Sequence, residues 1–121
     1  MFLELAHTKL DVFQVSREFV LNCYRETKLF PNEEKFALIQ QIRRAALSVH
    51  LNIAEGSSRK SLPERKRYYE ISRGSVIEID TAFDIAMGLE YVTKDKLEYT
   101  GSLLIRTFQM LSKMIGQANA E

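Results

Sequence analysis

Cysteine is nearly absent from this 121-residue chain: Cys23 stands alone, so no intrachain disulfide is available. Tryptophan is missing, only two prolines and five glycines occur, and most of these lie where a helical pattern breaks. No apolar run approaches the roughly 18 residues that a membrane helix needs. The opening MFLELAHTKLD has no basic n-region and no long apolar core, so a secretory signal is not expected. A formal net charge of +1 gives no global bias toward nucleic acid or membrane surfaces. His7 and His50 are far apart, with no Cys or carboxylate cluster at ligand spacing, so neither a metal nor a cofactor is expected. Cys23 falls in an apolar helical pattern and reads as a buried thiol of a reducing, cytoplasmic protein. No segment alternates with period two for long enough to predict a strand.

What is present is helical periodicity. The first helix is predicted over about Thr8 to Lys28, with Leu10, Phe13, Phe19, Val20, Cys23 and Tyr24 inward. Pro31 marks a break, after which Asn32 reads as an N-cap, with Glu33 and Glu34 at the positive end of the next helix dipole. That second helix runs through Phe36, Ile39 and Ile42 to about Glu55, where Gly56 reads as a left-handed stop. Ser61 and Glu64 form the capping-box pattern S-x-x-E, with Pro63 inside the first turn of a third helix over Leu62 to Glu90. Its stripe is Tyr68, Ser72, Ser75, Val76, Ile79, Phe83, Ala86 and Leu89 or Glu90. Gly74, mid-helix, is expected to mark a close helix contact. Thr93 caps a fourth helix over Lys94 to Ile115, with Leu97, Leu104, Phe108, Leu111 and Ile115 inward, and Gly116 ends it before a frayed QANAE tail. Long helices joined by short connections predict an all-α, up-and-down antiparallel four-helix bundle, one domain over residues 1–121. Val12, Val15, Ile71, Ile77 and Ile85 fall off these stripes, a surplus of apolar surface that an oligomer would bury.

The densest segment is Gln40–Arg59. Ile42, Ala45, Ala46, Val49, Ile53 and Ala54 share one helical face, and Asn52 and Glu55 lie beside it. The motifs Gln41-Ile42-Arg43-Arg44-Ala45-Ala46 with Ser48, then Asn52-Ile53-Ala54-Glu55-Gly56, Ser61 with Glu64, and Gly74-Ser75 with Glu78 together resemble a bacterial family, the four-helix-bundle or 23S rRNA intervening-sequence proteins. Glu33-Glu34-Lys35-Phe36 matches the acidic entry of that pattern. His50 and Leu51 depart from it, standing where the family often has proline and a small residue. The resemblance implies a bundle that assembles as a homopentameric ring, with no established enzymatic activity. The family is also similar to the accessory protein of diversity-generating retroelements, a pentamer that binds nucleic acid and a reverse transcriptase. RNA or DNA, and a reverse transcriptase or a ribosomal component, are the partners so implied.

Two groups of residues carry candidate chemistry. From Arg59 to Arg67, five cations (Arg59, Lys60, Arg65, Lys66 and Arg67) face one carboxylate, Glu64, whereas Glu78 to Glu98 is acidic. This basic run opens a helix, whose free N–H groups also favour anions. Tyr68 and Tyr69 beside it could stack on bases. Backbone-directed nucleic-acid binding is one reading; a solvated cluster or an intersubunit charge pairing is the other. Arg43, Arg44, Asn52, Glu55 and Glu78 form the second group. With no paired histidine, no nucleophile motif and no phosphate loop, they are expected to form a buried ion-pair and hydrogen-bond network, Arg44 pairing with Glu55 or Glu78. Losing Glu55 should then damage folding. No catalytic residue is assigned, and a protein–protein scaffold without nucleic-acid binding stays open as the alternative function.

Overall fold

The computed structural model describes residues 2–119. It contains four α-helices: α1 Asp11–Thr27, α2 Leu38–Ser57, α3 Leu62–Gly88 and α4 Glu98–Asn119. No strand occurs among the described residues. Each helix packs on the one before it and α1 closes the square against α4, while the diagonal pairs make no comparable contact. This is the up-and-down bundle that short connections dictate. One end of the bundle therefore gathers the start of α1, the end of α2, the start of α3 and the end of α4.

The core is apolar and continuous. Phe19, Ile42, Val49, Ile53, Val76, Ile79 and Leu111 are fully enclosed, each burial being worth about 1.5–3 kcal/mol. Val12 and Val15 belong to this core, correcting their assignment to surplus surface; Val12 stands four positions before buried Ser16 and Val15 four before buried Phe19, and each shares that residue's face. Three buried hydroxyls are satisfied locally or across a helix pair. Thr27 Oγ1 donates to the Cys23 carbonyl, Thr107 Oγ1 to that of Leu103, and Ser72 Oγ to that of Val49 on α2. Cys23 is buried as expected, and burial together with Glu26 pushes its thiol pKa well above the usual range.

Helix ends depart from the sequence-based expectations in instructive ways. Residues Ala6–Lys9 form a 3-10 turn rather than the start of α1. Asn32 caps nothing: Asn32–Glu34 is a second 3-10 turn, and α2 begins only at Leu38, whose N–H is met by Glu34 Oε2 at 3.3 Å. Phe36 lies in the intervening turn and is exposed, not part of the core stripe. Tyr69 rather than Tyr68 is the buried tyrosine of α3. Thr93 Oγ1 accepts from Lys96 N–H at 3.4 Å, capping a turn that precedes α4. Gly116 does not end α4, which continues through Asn119; the final two residues of the expected frayed tail lie outside the described residues.

Neither of two glycines plays the role expected of it. Gly56 sits inside α2 with no positive φ, and it is buried. A Cβ there would meet Tyr69 Cε1 at 2.7 Å and Tyr68 Cβ at 3.0 Å, so the close helix contact is at Gly56. Gly74 is open, with no atom within 4 Å of where its Cβ would be. Among the described residues the left-handed one is Glu90, φ 64°, at the end of α3. There Tyr91 N–H reaches the Ala86 carbonyl (2.9 Å) and Glu90 N–H that of Met87 (3.0 Å), a Schellman closure with glutamate in the position usually held by glycine.

Candidate nucleic-acid interface

The basic run is built by the tight crossing from α2 to α3. Gly56 lets α3 approach, Ser57 Oγ and Tyr69 Oη hydrogen bond at 3.1 Å across the crossing, and the chain turns within residues Ser58–Ser61. The capping box forms: Ser61 Oγ accepts from Glu64 N–H at 3.3 Å and donates to the Glu64 carboxylate at 3.2 Å. Pro63 occupies the first turn, where its missing N–H costs nothing.

Within this frame the six candidate residues are not equivalent. Arg59 is spoken for. Its Nη2 donates to Glu55 Oε2 at 2.9 Å and to Tyr68 Oη at 3.1 Å, and its guanidinium lies 4.9 Å from the Tyr68 ring centroid. Tyr68 thus has one face covered and is half-buried, and the buried Tyr69 ring has no face for a base. Arg65 Nε donates to the Arg59 carbonyl at 2.6 Å, which ties its stem to the turn. Lys60, Lys66 and Arg67 make no ion pair or side-chain hydrogen bond among the described residues, and Lys60 and Arg67 are exposed. Lys60, Lys66 and Arg67 thus leave positive charge around a turn whose other two cations are anchored.

The expected buried polar network is not assembled; its members go to separate places. Arg43 turns toward α1, where Nε donates to Thr27 Oγ1 (2.9 Å), Nη2 to the Tyr24 carbonyl (3.3 Å), and the guanidinium stacks on the Tyr24 ring (4.7 Å). Arg44 points outward and pairs with neither Glu55 nor Glu78. On one helix, eleven residues separate Arg44 from Glu55 by about 16 Å along the axis, too far for contact. Glu55 is exposed and pairs with Arg59 instead. Glu78 accepts from Gln41 Nε2, and Asn52 Nδ2 donates to the Ser48 carbonyl at 2.8 Å. Ser75 Oγ donates to Ser48 Oγ at 2.8 Å, so Asn52, Ser48, Ser75, Gln41 and Glu78 line the seam between α2 and α3. Both helices also carry exposed apolar side chains: Leu47 and Leu51 on α2, and Ile71, Ile77 and Ile85 on α3.

One pair escaped the sequence reading. His50 hydrogen bonds to the fully buried Ser16 at 2.7 Å through Nδ1 and stacks on Phe13 at 4.2 Å. Burial, with Arg17 and His7 nearby, lowers its pKa to about 4. Helical spacing places both residues on inward faces, but nothing local to either announces the pairing. Among the described residues no group of His, Cys, Asp and Glu is placed to hold a metal, and no helix is long and apolar enough to cross a membrane.

Comparison with known proteins decides the family. Residues 8–113 match the family described as 23S rRNA-intervening sequence protein. The chain belongs to that family. Among solved structures it is similar to a protein of unknown function from the S23 ribosomal protein family of Bacteroides thetaiotaomicron, with TM-score 0.79 and 24% identity over 86% of this chain and 97% of that one. At that identity the likeness speaks for the bundle fold alone. No curated protein matches the chain.

Proposed function

We propose that this 23S rRNA-intervening sequence family member is a non-enzymatic, cytoplasmic ring, a homopentamer, that presents the α2–α3 turn to the phosphate backbone of RNA or DNA. The observation that supports it is the set of cations without an ion pair among the described residues, Lys60 in the turn before α3 and Lys66 and Arg67 in its first turns. A ring repeats this patch on one rim, so weak single contacts add through avidity. The partner is a structured RNA, a duplex, or a nucleoprotein such as a ribosomal component or a reverse transcriptase. Contacts to phosphate give little sequence preference.

Fluorescence anisotropy with labelled RNA and DNA at two salt concentrations tests this reading. Affinity should fall steeply with salt, the slope of log K being about −0.7 to −0.9 per phosphate neutralised. Replacing Lys60, Lys66 and Arg67 together by alanine should abolish binding with helix content unchanged. No binding by the parent at low salt, or equal binding by the triple variant, sinks it. A second reading, a protein-interaction scaffold, is favoured by the exposed isoleucines Ile71, Ile77 and Ile85 of α3 and would then lead. Light scattering decides the assembly: one subunit's 14.0 kDa at micromolar concentration would reject the ring.

A further inference from the structure

At the same end of the bundle as the basic turn, a pocket of about 650 Å³ opens between α1, α3 and α4. Val12, Leu62, Met110 and Met114 give it apolar walls; Arg65 and Lys113 bring two positive charges to it and Asp11 one negative, which leaves an excess of one positive charge. Leu10, where the N-terminal segment joins α1, also lines it. The residues preceding that junction are strongly apolar and uncovered: Phe2 is 98% exposed, Leu3 55% and Leu5 53%.

We propose that the N-terminal arm, Phe2–Leu5, of one copy of the chain seats in this pocket on a neighbouring copy. The inference rests on the oligomeric part of the proposed function and adds how the copies are joined. Pocket and arm match in chemistry. Phe2, Leu3 and Leu5 suit the apolar walls, Met110 and Met114 are flexible thioethers that adapt to an aromatic ring, and Glu4 complements Arg65 and Lys113. They match in reach as well, since four extended residues span about 13 Å. The arm's own chain leaves it outside. The Leu5 carbonyl is held by Thr8 N–H at 3.0 Å and by Thr8 Oγ1 at 2.7 Å, with Thr8 buried, so the root of the arm is pinned while its side chains stay in solvent. Copies arranged side by side about a common axis carry arm and pocket at the same height.

Disulfide trapping in the full chain tests this. Cys23 is buried and stays silent. The variant Leu3→Cys with Gln117→Cys places thiols on the arm and at the pocket's exposed edge; Leu3→Cys with Ser102→Cys, at the far end of α4, is the control. Under mild oxidation the first should give chains linked in twos and higher multiples, and the control should stay single. The variant Phe2→Ser, Leu3→Ser, Leu5→Ser should lower the mass seen by light scattering with helix content retained. A disulfide closed within one chain, equal cross-linking by the control, or an unchanged mass for the serine variant overturns the exchange while leaving the oligomer standing. A parent that already runs as one subunit overturns both.

Discussion

Gly56 on α2 and Tyr69 on α3 approach so closely that a Cβ on the glycine would stand 2.7 Å from the tyrosine ring. Tyr69 cannot yield, because it is buried and its hydroxyl is bonded to Ser57. Gly56→Ala should therefore destabilise the bundle by roughly 1–3 kcal/mol through overpacking. Helix propensity alone predicts the opposite sign, a gain of about 1 kcal/mol, so the direction of the change in urea or thermal unfolding is itself the test. Gly74→Ala, with nothing near it, should show that gain in the isolated chain; a fall in oligomer mass in the same variant would place Gly74 in a subunit contact.

Glu90 holds a left-handed conformation that costs a non-glycine residue about 1–2 kcal/mol. Glu90→Gly should recover most of this, less the entropy glycine loses on folding, and raise the melting temperature by a few degrees. Calorimetry that found no change or a decrease would mean the glutamate side chain contributes an interaction that offsets its backbone strain.

Acid should weaken the fold through His50. Its pKa is near 4 in the folded chain and near the ordinary 6.5 when unfolded, so between these values the unfolded chain binds the extra proton. The stability contributed by keeping the ring neutral is complete above pH 6.5 and drains away as pH falls toward 4. Urea midpoints measured across that window should decline for the parent and decline less for His50→Gln. Parallel slopes would assign the acid sensitivity to the carboxylates instead.

Glu55→Ala should be mild, contrary to what the sequence motif suggests. The carboxylate is exposed and its ion pair with Arg59 spans one helical turn in solvent, a contact worth at most about 0.5 kcal/mol. The informative effect is on nucleic acid: freeing Arg59 adds a cation to the patch, so anisotropy at low salt should report tighter binding. Weaker binding would show that the Glu55–Arg59–Tyr68 arrangement shapes the site.

How much of this was legible in the sequence depended on whether the determinant was local. Ser61, Pro63 and Glu64 specify the start of α3 within four residues, and the structure honours each of them. The core of α2 followed from apolar spacing alone. The end of α3 was legible to within two residues, but its left-handed closure was not, because Glu90 has no intrinsic preference for that conformation; the Ala86 and Met87 carbonyls close on the turn only once it is packed. Asn32 and Gly56 misled for the same reason. Their usual roles as cap and stop were overridden, one by a 3-10 turn that delays α2, the other by Tyr69, which reaches Gly56 only when α3 folds back on α2. Of the candidate site, the positions of the charges could be read, but not which were engaged: Arg59 and Arg65 are held by groups across the turn, whereas Lys60, Lys66 and Arg67 are not.

The bridge between α1 and α2 at Ser16 has a consequence for the protonation of its partner. Ser16 Oγ lies 3.0 Å from the Phe13 carbonyl and 2.7 Å from His50 Nδ1, yet the hydroxyl carries a single hydrogen. Both contacts are satisfied only when that hydrogen goes to the carbonyl and the imidazole supplies its own, which selects the Nδ1–H tautomer. The remaining lone pair is then on Nε2, the nitrogen that receives the proton in acid. Imidazolium formation therefore adds charge at the far side of the ring without severing the link between the two helices.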